Sequence, residues 1–169
     1  MYELEVVNVR LVKEPSLYSE KELNSPQAVI EVMASELAQY DREVLCILNM
    51  KANGQAINMN IVSVGTIDQA LISPREVFKG SILSNACRIL AVHNHPSGSI
   101  TPSQADFDIT QRLKACGEML GIPLLDHLIV GGNHGRIFSF QEQGLLDGGK
   151  QEFIDFLERY RQRKKEWER

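Results

Sequence analysis

Apolar and polar positions change period several times along the chain, and each change marks an element. Residues 3–12 alternate loosely between the two classes, the period of a half-exposed strand. The polar stretch Lys13 to Asn24 reads as a loop. Ser25-Pro26 then opens a helix, Ser at the N-cap and Pro at the first helical position, where a missing N–H costs nothing. Val29, Val32, Met33, Leu37 and Tyr40 recur at three- and four-residue spacing, so this helix buries one face and ends near Tyr40. EVLCILNM (43–50) is a short apolar run of strand type. Asn53-Gly54 turns the chain into a second, antiparallel strand over about 55–66.

Ser73-Pro74-Arg75-Glu76 reads as a capping box that starts a helix running to about Ala86. RILAVH (88–93) is a buried strand. After the loop HPSGSITP, Thr101 or Ser103 opens a third helix that ends near Leu120-Gly121. LLDHLIVGG (124–132) is another strand, and Gly131 to Gly135 supplies a turn into a short strand from Arg136 to Phe140. Residues 150–167 form a last helix with Phe153, Phe156, Leu157 and Tyr160 on one side and a basic end. The order β-α-β-β-α-β-α-β-β-α predicts a mixed sheet packed by helices in one α/β or α+β domain. Residues 1–24 lead into it, 25–146 form its body, and the basic amphipathic helix within 147–169 reads as an appendage.

Composition narrows the class. With 169 residues, 43% apolar and 24% charged, the chain can bury a core without disulfide or metal staples, so any metal is functional rather than structural. A net charge of −4 argues against a general polyanion binder. Cys46, Cys87 and Cys116 are odd in number, widely spaced and flanked by apolar residues, which predicts buried free thiols in a reducing compartment. The N-terminus lacks an apolar signal core and no run approaches the roughly 18 apolar residues of a membrane span. A cytoplasmic location without membrane contact is therefore expected.

The chemistry concentrates in His93-Asn94-His95-Pro96, followed by Ser103 and Asp106. Residues two apart on an extended chain point to the same side, so both imidazoles can converge on one ion. Pro96 stops the strand, the loop containing Gly98 lets the chain reverse, and Asp106 lies in the first turns of the next helix. Two imidazoles and a carboxylate are a three-ligand set of the kind catalytic zinc prefers, with the fourth position left for water. Zinc lowers the pKa of such water to about 7 and so supplies a nucleophile at neutral pH. A lone His at a strand end is usually an ordinary core or surface residue, and it is the whole string, His-x-His-Pro-x6-Ser-x2-Asp, that points to a site.

HNHPSGSITPSQAD resembles the zinc signature of the JAB/MPN superfamily. The segments 65–98, LGIPLLDHLIVGG (120–132) and SFQEQGLL (139–146) resemble its RadC-like branch. The resemblance covers roughly residues 22–146. It implies a deaminase-like α/β fold with a mixed, mostly antiparallel sheet, and one zinc ion on His93, His95 and Asp106. Members with proven chemistry are peptidases or isopeptidases, so a peptide or isopeptide is the implied substrate. The branch also carries a DNA-repair label that these residues do not explain.

By the same resemblance Glu43 is the general base that takes the proton of the attacking water and hands it to the leaving amine. Glu76 competes for that role, although the capping box accounts for it locally. Ser103 is the residue that donates to the oxyanion, with helix capping as its structural alternative. Asp126 and His127 are open between orienting a ligand and core hydrogen bonding, and His134 reads as exposed. RadC-like proteins usually carry an N-terminal helix-hairpin-helix segment, and the first 24 residues here show no such pattern. The basic run from Arg159 to Lys165 can contact phosphates, or simply end a solvated helix where cations suit the macrodipole. Three functions follow for test: a zinc peptidase or isopeptidase, a metal-dependent nuclease or DNA-repair factor, and a binding module without turnover.

Overall fold

A computed structural model of the chain describes residues 10–12, 26–65, 72–131 and 136–167. The elements among them are α1 (Pro26–Leu37), β1 (Val44–Met50), β2 (Ala56–Val64), α2 (Pro74–Leu83), β3 (Arg88–His95), α3 (Gln104–Leu120), β4 (Leu124–Gly131), β5 (Arg136–Ser139) and α4 (Lys150–Trp167). One sheet runs in the order β2-β1-β3-β4-β5. Only the β3–β4 pairing is parallel; β1 with β2, β1 with β3 and β4 with β5 are antiparallel. This is the mixed, mostly antiparallel sheet flanked by helices that the sequence predicts. Most of the expected strand over 3–12, the following loop, the Ser25 cap and the turn holding His134 lie outside the described residues. Residues 10–12 belong to no strand.

The sheet is covered on both faces, which explains why β1 reads as an unbroken apolar run and is buried at every position. Cys46, Leu48, Leu90, Val92 and Val130 pack under α1 against Val29, Met33 and Leu37. Leu45, Ile47, Ile89, Ala91 and Ile129 face the other way, into a core completed by Phe78, Phe107, Leu113 and Phe153. The face of β3 that carries Ile89 and Ala91 therefore continues into His93 and His95. Among the described residues no helix is long and apolar enough to cross a membrane.

Several local expectations change. The helix α1 stops at Leu37 rather than near Tyr40, and Ile30 and Ala34 complete its buried face. Ser73 is the N-cap of α2, but its side chain makes no capping bond. Glu76 instead pairs with Lys79 at 2.5 Å, one turn on, so the expected box does not close. A reciprocal box forms at α3, where the Ser103 side chain accepts from the backbone of Asp106 and the Asp106 carboxylate accepts from the backbone of Ser103. Cys46 is buried, as expected, with its thiol pushed up to about 12 by burial. Cys87, by contrast, is exposed in the turn before β3, and Cys116 is half-buried. The last helix is no appendage: Phe153 is fully buried and stacks on Phe107 with centroids 4.5 Å apart.

Two glycines do positional work around α3. Gly121 takes φ 70° at its C-cap, and its N–H bonds back to the carbonyls of Gly117 and Glu118. Gly131 ends β4 where the 98–100 loop crosses it; a Cβ there would stand 2.4 Å from Ile100 Cγ2 and 2.7 Å from the Gly98 carbonyl. Gly131→Ala should therefore destabilise the fold by about 1–3 kcal/mol through overpacking against backbone. Chemical denaturation of the variant beside wild type measures it, and an unchanged midpoint would show that the loop yields freely.

Candidate metal centre

The pleat of β3 carries His93 and His95 to one face, and α3 starts opposite them with Asp106 at its third position. His93 and Asp106 are buried and His95 nearly so. The two Nε2 atoms stand 2.9 Å apart, His93 Nε2 is 3.2 Å from Asp106 Oδ1, and His95 Nε2 is 3.5 Å from Asp106 Oδ2. Ligands around a tetrahedral zinc at about 2.0–2.2 Å are themselves about 3.3 Å apart, so this trio has the right spacing. Among the described residues it is the group of His, Cys, Asp and Glu side chains close enough to hold a metal ion. The donor set fits zinc, with two nitrogens and one oxygen.

Orientation fits too. His95 Nδ1 lies 2.9 Å from the carbonyl of Ser99, which can only accept, so Nδ1 carries a proton and Nε2 faces the cluster. Two imidazole nitrogens at 2.9 Å repel unless a positive charge, proton or metal, lies between them. Asp106 Oδ2 accepts from both the backbone N–H (2.6 Å) and the hydroxyl (2.7 Å) of Ser103, which leaves Oδ1 toward His93. Burial alone would raise the Asp106 pKa, but the two imidazoles and Ser103 hold it far below the usual carboxylate range. Burial pulls His95 down, yet Asp106, the Ser99 carbonyl and the Glu43 charge together carry it above its ordinary value. The cluster thus keeps a carboxylate ionised in a dry place, as a cation site requires.

Glu43 precedes β1 and is half-buried. Leu45 pairs with His93, so continuing the register sets Glu43 across from His95, consistent with the charge of one acting on the other. Asn94, which falls on the opposite face from the two histidines, holds that approach. Its Oδ1 accepts from Val44 N at 2.8 Å and its Nδ2 donates to Arg42 O at 3.1 Å, gripping the peptide units on both sides of Glu43. Sequence reasoning missed Asn94; its position as the middle letter of His-x-His, necessarily on the sheet face away from the ion, was the available signal. The competitor Glu76 is exposed and pairs with Lys79. Ser103 caps α3 and donates to Asp106, so both its hydroxyl proton and a lone pair are in use.

Asp126 and His127 separate into two jobs. Asp126 ties down the end of β5: it accepts from Ser139 Oγ at 2.5 Å, from His127 N at 2.7 Å and from Gln141 N at 2.9 Å. Burial raises its pKa against those bonds. His127 is fully buried, 2.8 Å from His93 and 2.6 Å from Thr110 Oγ1, with its ring stacked on Phe140. Thr110 was the other residue missed; a hydroxyl four residues after Asp106 on one helix was the clue.

A model of the RadC-like JAB domain matches residues 23–145. The chain is 40% identical over 124 residues to a UPF0758 protein of Desulfitobacterium hafniense, 73% of this chain and 54% of that protein. It is 43% identical over 127 residues to one of Symbiobacterium thermophilum, 75% of this chain and 53% of that protein. A third, of Pelodictyon phaeoclathratiforme, is 43% identical over 126 residues, 75% of this chain and 56% of that protein. The chain thus spans about half the length of the curated relatives it matches.

The buried histidine sets a pH dependence for the metal-free protein. Burial, then the neighbouring His93, lowers His127 from 6.5 to about 3. The unfolded chain therefore takes up this proton below pH 6.5 while the folded chain resists to about 3, so the contribution is intact above 6.5 and is lost as pH falls through that window. The loss should be of the order of a few kcal/mol. Urea unfolding of wild type and His127→Gln from pH 7.5 to 4 checks it, the variant showing the shallower slope.

Proposed function

The chain belongs to the RadC-like JAB domain family, and from that premise we propose that it is a zinc-dependent hydrolase acting on an amide bond, in a peptide or isopeptide. The observation that carries this reading is the convergence of two Nε2 atoms and a carboxylate oxygen on one buried face beside Glu43. His93, His95 and Asp106 would hold the ion. Zinc, when bound there, acidifies water and polarises a carbonyl as a Lewis acid.

The remaining work falls to the chain. Glu43, its flanking peptide units held by Asn94 and its charge acting on His95, takes the proton of the attacking water and returns it to the leaving amine. Ser103 sits at the mouth, where its hydroxyl can turn from Asp106 to donate to the oxyanion; its backbone N–H keeps Asp106 in place meanwhile. Val64 of β2, Val44 of β1 and Asn94 of β3 stand in one row across the sheet. Among the described residues β2 is an edge strand of the sheet, and its Val64 end, half exposed, is where an extended peptide would add as a further strand and lead its scissile bond toward His95.

Nuclease chemistry is the competing reading. Phosphodiester cleavage more often uses two ions about 3.5–4 Å apart, whereas one converging cluster stands among the described residues. Glu43→Gln should lower turnover about 10²–10⁴-fold with zinc content unchanged. Turnover assays on peptide, isopeptide and DNA substrates, with and without chelator, against His95→Ala, decide the class. DNA cleavage lost in His95→Ala, with no peptide cleaved by either protein, would replace the amide reading with the nuclease one.

A further inference from the structure

A chain of hydrogen bonds runs from the backbone of one metal-ligating residue to the side chain of another through two residues that touch no ligand position themselves. Thr110 Oγ1 lies 2.5 Å from the backbone carbonyl of Asp106 and 2.6 Å from His127 Nδ1. His127 Nε2 lies 2.8 Å from His93 Nδ1. All of these side chains are buried, so water cannot relax the assignment of protons.

Counting protons gives the direction of every bond. The Asp106 carbonyl can only accept, and Thr110 has one hydroxyl proton, which therefore goes to that carbonyl. Thr110 Oγ1 must then accept from His127 Nδ1–H. Both bonding partners of His127 are neutral groups, a hydroxyl and an imidazole, and its flat face lies on Phe140, so a buried imidazolium would have no compensating anion in contact. His127 Nε2 is thus a lone pair, and it accepts from His93 Nδ1–H. The reverse direction would put a proton on His93 Nε2, the atom that faces Asp106 and His95, and would close it to a metal.

We propose that His127, itself oriented by Thr110, is the positioning residue that fixes His93 in the tautomer with Nε2 open to the metal. This rests on the metal-site reading above and deepens it. Metal-ligating histidines commonly donate their second N–H to a carboxylate, carbonyl or water. Here a second, uncharged imidazole takes that place, and its orientation is set by the backbone of the third ligand. His95 has the simpler version of the same device in the Ser99 carbonyl.

The test uses the full chain with Zn²⁺ by chelator competition and Co²⁺ by its visible absorption, alongside circular dichroism for folding. His127→Phe keeps the ring on Phe140 but offers no acceptor, and should bind both ions about 10–100-fold more weakly. His127→Gln can accept from His93 and donate to Thr110, and should recover most of that loss. Thr110→Val should weaken binding and Thr110→Ser restore it, a pairing that also decides the matter if His127→Phe does not fold. A merely structural role predicts that both substitutions at 127 cost the same. The wild-type zinc-loaded protein gives a readout free of variants: long-range ¹H–¹⁵N spectra should place the His127 proton on Nδ1. A proton on Nε2, or a folded His127→Phe with wild-type affinity, overturns the proposal while leaving the metal site standing. Uptake of neither ion by wild type overturns the metal reading itself, and this one with it.

Discussion

Parallel pairing of β3 with β4 requires the chain to leave one end of β3 and re-enter the sheet at the other, and α3 is that crossover. The rest of the site depends on this one constraint. Because the helix must begin where β3 ends, its first turn lies against His93 and His95, and Asp106 at the third position reaches them. The capping box of Ser103 and Asp106 fixes that first turn. A carboxylate that would otherwise only cap the helix becomes, through the crossover, the third vertex of the cluster. Gly131 makes room for the loop that this route needs.

Burying Asp106 beside two imidazoles is costly unless each group is bonded and a positive charge is present. The fold meets the first condition without help from solvent. The Asp106 carboxylate takes two bonds from Ser103, its own carbonyl takes one from Thr110, and each imidazole has a fixed partner on Nδ1. The second condition is left to a proton or a cation. A site whose bonds are complete except for one positive charge could take up a cation with little rearrangement.

The two faces of β3 divide the labour. Odd positions carry the histidines toward α3, while Asn94 turns toward α1 and clamps the peptide units around Glu43. One strand therefore places two candidate ion ligands and, through Asn94, holds the backbone on both sides of the candidate base. Membership of the RadC-like JAB family agrees with this layout, and the curated relatives, about twice as long as the aligned segment, extend beyond it.

Much of this was legible in the letters. The alternating and helical periods located the described helices and strands to within a few residues, because both faces of the sheet are covered and apolar runs of strand length have no other use. His93, His95 and Asp106 were legible because strand period and helix start set their separation. Helix capping was legible at both Ser73 and Ser103, but the box closes only at Ser103, because the Glu76 carboxylate pairs with Lys79 while the Asp106 carboxylate turns back to the Ser103 backbone. Nothing local could show that Cys87 is exposed or that Phe153 stacks on Phe107, since burial is decided by elements distant in sequence. The same holds for His127 and Thr110: seventeen residues apart, on a helix and a strand, they meet only when α3 packs across β4. The sequence by itself named the residues that could hold an ion; only the tertiary structure brought them together and gave each its hydrogen-bond partners, because those partners come from elements distant in sequence.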